Sequence, residues 1–280
     1  MSDIQRVDLG IPALLEFRGP DASAFLNGQL TQDVRRVVGG MVSLPSCVTD
    51  AKGKLQFRVT VMESREGVFW VSGPAGQAEN LEARLTRYLI ADDVETEDLT
   101  GKYGLSHFTG PMPEPPPGVL ARESNRLGVA GVDWWVPCCL AMKFPVGSFL
   151  QGDALETYRI TRGIPAWGQE LVVGMLPPEA RLEDSDISYN KGCYIGQEVI
   201  SRIKSAGKVN KLLARFVFAE TASVVPGELR DAAGKVTGEL TSVSPQAVDG
   251  FRHALGYVKR GAGDLLFQAT DGDLIPVSVI

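Results

Sequence analysis

From about Val209 onward the sequence breaks into five short runs, Lys211–Phe218, Lys235–Val243, His253–Val258, Leu265–Ala269 and Leu274–Ile280. Turn residues separate them, Asp271-Gly272 included. Runs of this length, rich in β-branched and aromatic residues, form strands, and Asp-Gly between two of them is a hairpin signal. Such strands are too short to bury themselves alone and must close on one another as a small β-barrel or sandwich. The chain is therefore read as a larger region, 1–208, followed by a β unit, 209–280.

The larger region alternates helix-like and strand-like text. Asp21 is placed to cap a helix with Leu26, Leu30, Val34 and Val37 on one face. Leu55–Met62 and Val68–Ser72 read as strands, and Gln77–Ile90 as a helix with Ala78, Leu81, Leu85, Tyr88 and Leu89 on its buried stripe. Leu127–Val136 looks extended. Asp153-Ala154-Leu155-Glu156 resembles a capping box, and Gly163 followed by Pro165 marks the stop of that helix. Between the two halves of this text stands Pro111-Met112-Pro113-Glu114-Pro115-Pro116-Pro117, which neither a helix interior nor a central strand accommodates. It reads as an exposed connector at 111–117. The whole is an α+β chain.

At 280 residues with a net charge of -6, the chain has room for two or three compact units and no overall attraction for nucleic acid or anionic lipid. No apolar stretch approaches the ~18 residues a membrane span needs, and the first residues lack a secretory layout. A cytoplasmic protein without membrane contact is expected. The four cysteines, Cys47, Cys138, Cys139 and Cys193, contain no Cys-x-x-Cys pair, and the two histidines, His107 and His253, stand far apart. No stably held metal is expected from that set. Cys138 and Cys139 sit in an apolar run, Val136–Met142, and read as core. Phosphate-loop, dinucleotide and serine-hydrolase signatures are missing.

The chemically informative stretch is Lys191-Gly192-Cys193-Tyr194-Ile195-Gly196-Gln197-Glu198. Glycines at 192 and 196 allow an unusual loop. If Lys191 to Cys193 is extended, the ammonium and the thiol share a side, and the cation favours the thiolate. The same residues also admit a plain reading: a small buried cysteine beside a solvated lysine. Six basic residues, Lys191, Arg202, Lys204, Lys208, Lys211 and Arg215, share the 191–215 stretch with a single acid, Glu198. That local excess suits a polyanion such as an RNA phosphate, or is simply a charged surface. Trp70, Trp134, Trp135 and Trp167 are candidates to wall a pocket, Trp167 above all because of its Gly/Pro-rich loop.

That eight-residue run resembles the signature of YgfZ-type proteins, relatives of the glycine-cleavage T-protein. These are folate-binding proteins linked to assembly or repair of iron–sulfur clusters, including those of a tRNA-modifying enzyme. Phe25-Leu26-Asn27-Gly28-Gln29-Leu30-Thr31-Gln32-Asp33-Val34 is similar to the family's N-terminal motif. Arg162-Gly163-Ile164-Pro165 and Ala254-Leu255-Gly256-Tyr257-Val258 are similar to later segments. The resemblance implies three subdomains around a central folate pocket, with two interleaved α+β subdomains in 1–208 and a C-terminal barrel.

It further implies tetrahydrofolate or a derivative as the ligand, with iron–sulfur client or assembly proteins as partners and weak tRNA contact as an added possibility. On this basis Cys193 and Lys191 are the working pair, Gly192 and Gly196 shape the loop, and Trp167, Tyr194, Gln197, Glu198 and Arg202 are folate contacts. The thiol's role is open between catalytic and structural. In the T-protein an acidic pair follows a Gly-Gly turn; the equivalent stretch here is Lys52 to Val59, in which none of Leu55 to Val59 is acidic, and that enzyme's glutamate falls near Thr161. A cationic aminomethyl group needs an acidic partner in a desolvated pocket. A folate-dependent aminomethyl or one-carbon transferase is thus the alternative function, and a tRNA-binding module the second.

Overall fold

The long strand Leu55–Arg65 shows how the sequence builds the first part of the molecule. Leu55, Phe57, Val59 and Val61 are buried, while Gln56, Arg58 and Thr60 between them are half-buried, so the period of two separates an apolar face from a mixed one. The structure, a computed structural model, describes residues 5–110, 114–140, 144, 147–207, 209–221, 223–263, 265–268 and 274–280. Contacts divide the chain into two compact units: Met1–Leu150 with Glu183–Ser201, and Gln151–Leu182 with Arg202–Ile280.

The first unit runs β1 (Gln5–Asp8), β2 (Ala13–Arg18), α1 (Ala22–Gln29), β3 (Ser43–Thr49), β4 (Leu55–Arg65), β5 (Val68–Gly73), α2 (Ala78–Thr86), β6 (Glu95–Asp98), β7 (Tyr103–Thr109), β8 (Leu120–Ser124), β9 (Gly131–Pro137) and β10 (Ser148–Leu150). It contains two five-stranded sheets, ordered β10-β1-β7-β9-β8 and β3-β4-β5-β2-β6. They share a core: Leu14, Met62 and Trp70 of one meet Leu105 and Trp135 of the other. Trp70 and Trp135 pack edge to face at 5.9 Å, a favoured aromatic geometry.

A polar cluster crosses the same layer. Asp133 of β9 is fully buried. Its carboxylate accepts from His107 Nδ1 at 2.7 Å, from Arg126 Nη2 at 2.8 Å and from Ser43 Oγ at 3.4 Å. Burial alone would raise its pKa; the Arg126 guanidinium and the His107 ring more than offset this and hold it well below the usual carboxylate range.

The second unit holds α3 (Gly152–Arg162) and the strands β11 (Lys211–Ala219), β12 (Gly227–Arg230), β13 (Val236–Val243), β14 (Phe251–Lys259), β15 (Leu265–Gln268) and β16 (Leu274–Val279). These close into a barrel in the order β11-β14-β13-β12-β15-β16 around Phe216, Phe218, Leu229, Leu240 and Phe267. Arg159 of α3 donates to Glu170 at 2.9 Å and to Ser242 of β13 at 2.8 Å. Helix α4 (Gln197–Ala206) crosses the division between the units. Among the described residues no helix is long and apolar enough to cross a bilayer.

Several expectations need correction. The helix expected through Val37 ends at Gln29; Leu30 is extended, and Val34–Val37 is a separate 3-10 turn. Asp21 precedes α1 but spends its carboxylate on the Asp93 N–H instead of a cap. Helix α2 stops at Thr86 and leaves Tyr88 and Ile90 exposed. Helix α3 starts at Gly152 without a side-chain cap, whereas Gly163 ends it in the left-handed conformation as expected. Cys138 and Cys139 are exposed: β9 ends at Pro137, and the pair forms a turn closed by Leu140 N–H to the Pro137 carbonyl at 2.8 Å. Trp70, Trp134 and Trp135 are core. Asp271-Gly272, residues 111–113 of the connector and Lys208 lie outside the described residues.

Replacing Asp133 with Ala leaves the buried His107 ring and the half-buried Arg126 guanidinium without their carboxylate and is expected to lower stability by about 3–5 kcal/mol, measured by chemical denaturation. The wild-type contribution is present above the unfolded carboxylate pKa, near pH 4, and is lost as pH falls toward the depressed folded value. The variant therefore has a flatter stability profile below about pH 4.

Candidate functional site around Cys193

The site begins with a turn. Between β3 and β4, Asp50 Oδ1 accepts from the backbone N–H of Lys52 at 2.8 Å and of Lys54 at 2.9 Å. This Asx-type arrangement closes the turn and exposes little but backbone at Gly53. The start of α4 packs there: a Cβ on Gly53 would lie 3.2 Å from Val199 Cβ. From the other side, Gly196 has φ +89, and a Cβ on it would come within 2.5 Å of the Asp50 carbonyl oxygen and 2.9 Å of Gly53 Cα. Glycine is required at 196 on both counts. At Gly192 a Cβ would meet nothing within 4 Å and φ is not positive, so only one of the two expected loop-shaping glycines has a steric reason.

The rest of the loop is fastened to the segment that leaves α1. Thr49 Oγ1 donates to the Ile195 carbonyl at 2.6 Å, Ile195 N–H to the Gly28 carbonyl at 3.2 Å, and Ser188 N–H to the Thr31 carbonyl at 2.9 Å. The central fastening is Lys191. Its ammonium is buried and donates to the carbonyls of Asn27 at 2.6 Å, Leu30 at 2.7 Å and Gln32 at 2.7 Å. Three donors meet three acceptors, so the group is saturated. Burial pushes its pKa down to about 7, Asp33 pulls the other way and Arg35 adds to the lowering. The unfolded chain holds this proton more tightly above pH 7, so the contribution of Lys191 to stability rises with pH from about 7 toward the ordinary lysine value.

Two residues on, Cys193 is exposed. The ammonium turns inward to carbonyls and the thiol outward, instead of the two meeting on one side. The thiol borders an open recess of about 650 Å3, lined by Gln29, Ala51, Tyr88 and the run Cys193–Glu198. Tyr194 is buried against Ile187 and Ile200. Its hydroxyl is buried without a hydrogen-bond partner among the described residues, and burial raises its pKa. Gln197 and Glu198 open α4, and Arg202 lies exposed further along it. Trp167 belongs to the second unit and is half-buried.

Of the remaining basic residues, Lys211 pairs with Glu239 at 3.5 Å and Arg215 donates to the Thr161 carbonyl at 2.9 Å. Arg202 and Lys204 are the exposed members of the stretch among the described residues. No group of three or more His, Cys, Asp or Glu among the described residues is placed to hold a metal ion.

The sequence reading did not single out Tyr88, Gln29 or Asp186. Tyr88 looked like core; the guanidinium carbons of Arg84 and Arg87 lie 5.6 and 5.8 Å from its ring, and those two arginines were the available sign that it faces solvent. Asp186 is fully buried, takes Arg58 Nε at 2.7 Å and Nη2 at 3.1 Å, and lies 4.0 Å from Cys47 Sγ. Burial first, and then this carboxylate, push the Cys47 thiol well up, which makes it the inert cysteine.

Searched against family models, the chain matches none. It is 25% identical over 236 residues to the tRNA-modifying protein YgfZ of Klebsiella pneumoniae, covering 76% of this chain and 71% of that one. It is 25% identical over 257 residues to the human mitochondrial iron–sulfur cluster assembly factor IBA57, covering 81% and 71%. The crystal structure of the glycine cleavage system aminomethyltransferase T from Bartonella henselae superposes with a TM-score of 0.81 at 18% identity, over 99% of this chain and 85% of that one. The chain is a homologue of YgfZ and IBA57 with the T-protein fold. A chloroplastic Arabidopsis thaliana protein that bears a provisional transferase name is 33% identical over 142 residues, 51% of this chain but only 31% of its own length. In this T-protein fold, the segment leaving α1 and the Lys191–Glu198 run, the two stretches that carry the YgfZ resemblance, are in direct contact through Lys191.

Gly196→Ala is expected to destabilise the protein by about 2–4 kcal/mol, from the positive φ and the backbone clash. Gly192→Ala is expected to change stability by less than about 0.5 kcal/mol. Denaturant titrations of the two variants beside the wild type make the comparison.

Proposed function

We propose that the protein binds a reduced folate and uses the Cys193 thiolate in the assembly or repair of iron–sulfur clusters, those of tRNA-modifying enzymes included. The observation that carries this reading is the exposed Cys193 at the edge of a 650 Å3 recess, on a loop that Lys191 fixes from beneath. The homology to YgfZ and IBA57 gives the class of role. A recess of this size suits a small heterocyclic ligand. The residues fit one in kind: an aromatic face at Tyr88, an amide at Gln197 and a carboxylate at Glu198. Trp167 and Arg202, the other expected folate contacts, belong to the second unit, and this reading does not depend on them.

The thiol would act as a transient ligand. Cys193 gives its proton to solvent, and the thiolate sulfur donates an electron pair to an iron of the cluster being delivered. Lys191 is a positioning residue, since its ammonium is engaged with carbonyls. Aminomethyl transfer is the less favoured reading. On the half-buried face of β4 the chain presents Gln56, Arg58 and Thr60, and the carboxylates beside that face, Asp186 and Asp133, are each already engaged by an arginine.

The test combines binding and rescue. Calorimetry should show saturable tetrahydrofolate binding by the wild type and by Cys193→Ala. In cells lacking the gene, iron–sulfur enzyme activities should fall and recover with the wild type but not with Cys193→Ala. Absence of folate binding, or full rescue by the alanine variant, contradicts the proposal.

A further inference from the structure

Two buried aspartates of the first unit each hold an arginine through its Nε and Nη2. Asp186 takes Nε and Nη2 of Arg58 at 2.7 and 3.1 Å. Asp133 takes Nε and Nη2 of Arg126 at 3.2 and 2.8 Å. Both carboxylates are 0% exposed, while the arginine side chains are 26% and 24% exposed. In each guanidinium the fork toward the aspartate is used and Nη1 is left over. Neither Nη1 has a hydrogen-bond partner among the described residues, and neither is among the buried unpartnered atoms. Both therefore reach solvent with two N–H groups to donate.

The two arginines are linked through one face of β4. Arg58 and Thr60 are half-buried neighbours on the same face of β4, about 7 Å apart along the strand. Arg126 Nη2 reaches Thr60 Oγ1 at 3.4 Å. Thr60 thus touches one clamped guanidinium and is the next same-face residue to the arginine that carries the other. Neutralising a buried carboxylate needs only a charge; a planar fork held at two points instead leaves its third nitrogen aimed in a fixed direction. Preorganised donors of this kind recognise planar or tetrahedral oxyanions with little further loss of side-chain freedom.

We propose that Arg58 and Arg126, together with Thr60, form a binding site for a small oxyanion, either the carboxylate or the phosphate group of a ligand. Each arginine is already paired, so directed N–H groups supply the recognition and net charge adds little. Neither arginine nor Thr60 lines the Cys193 recess, and the site does not rest on the folate reading.

The test titrates the full chain with inorganic phosphate and, separately, with succinate in a low-chloride buffer. Calorimetry gives affinity, and the arginine Nε–H resonances report the site. Saturable binding is expected for at least one probe, with the Arg58 and Arg126 resonances shifting together. Binding should weaken at least tenfold in Arg58→Lys and in Arg126→Lys, which keep a cation beside each aspartate, and be unchanged in Arg230→Gln on the barrel. Phosphate alone binding marks a phosphoryl ligand and succinate alone a carboxylate ligand. No saturable binding of either probe below about 10 mM, or wild-type resonances that stay in place while an anion binds, overturns the proposal. The resonance readout holds even where a variant fails to fold.

Discussion

The arrangement around Cys193 depends on one buried ammonium. Lys191 saturates three carbonyls, those of Asn27, Leu30 and Gln32, that a continuous helix would have kept for itself. Helix α1 ends at Gln29, and the carbonyls freed there would be costly to bury unpaired. The lysine from a segment about 160 positions later in the sequence meets that need. Each feature thus requires the other: the broken helix has no donor without the loop, and the loop has no anchor without the break.

This division of labour decides what the motif can do. The cation points in and is engaged; the thiol points out and is exposed. Gly196 lets the chain pass against the Asp50–Gly53 turn before α4 begins, which sets Cys193 at the edge of the recess. Two buried carboxylates of the unit are likewise engaged, Asp133 and Asp186 each clamping an arginine. Cys47, next to Asp186, is sealed and raised in pKa, so the chain contrasts one protected thiol with three exposed ones.

Much of this was legible in the residues. The barrel strands appeared as alternating runs because each has one wet face; β12 was missed since only Leu229 of its four residues is deeply buried. The helix beginning near Asp21 was overextended because Leu26, Leu30, Val34 and Val37 are all buried whether or not the helix is continuous; periodicity reports burial, and the break is set by a distant lysine. Tyr88 and Ile90 continued the apolar stripe of α2 yet face solvent, and Cys138-Cys139 lie past the last paired residue of β9. The pattern identified Lys191 and Cys193 as residues that matter. It could not show the direction of the ammonium, because the carbonyls it seeks are backbone and carry no sequence signature.

Amide hydrogen exchange tests the lock most directly. In the wild type, the N–H groups of Ser188 and Ile195, bonded to the Thr31 and Gly28 carbonyls, should be protected along with those of the barrel strands. Lys191→Met should speed exchange at Ser188 and Ile195 by about a hundredfold, equivalent to about 3 kcal/mol of lost local stability, and leave β11 and β14 unchanged. Protection of Ser188 and Ile195 that survives the substitution would contradict the account and show that the loop is held by something other than Lys191.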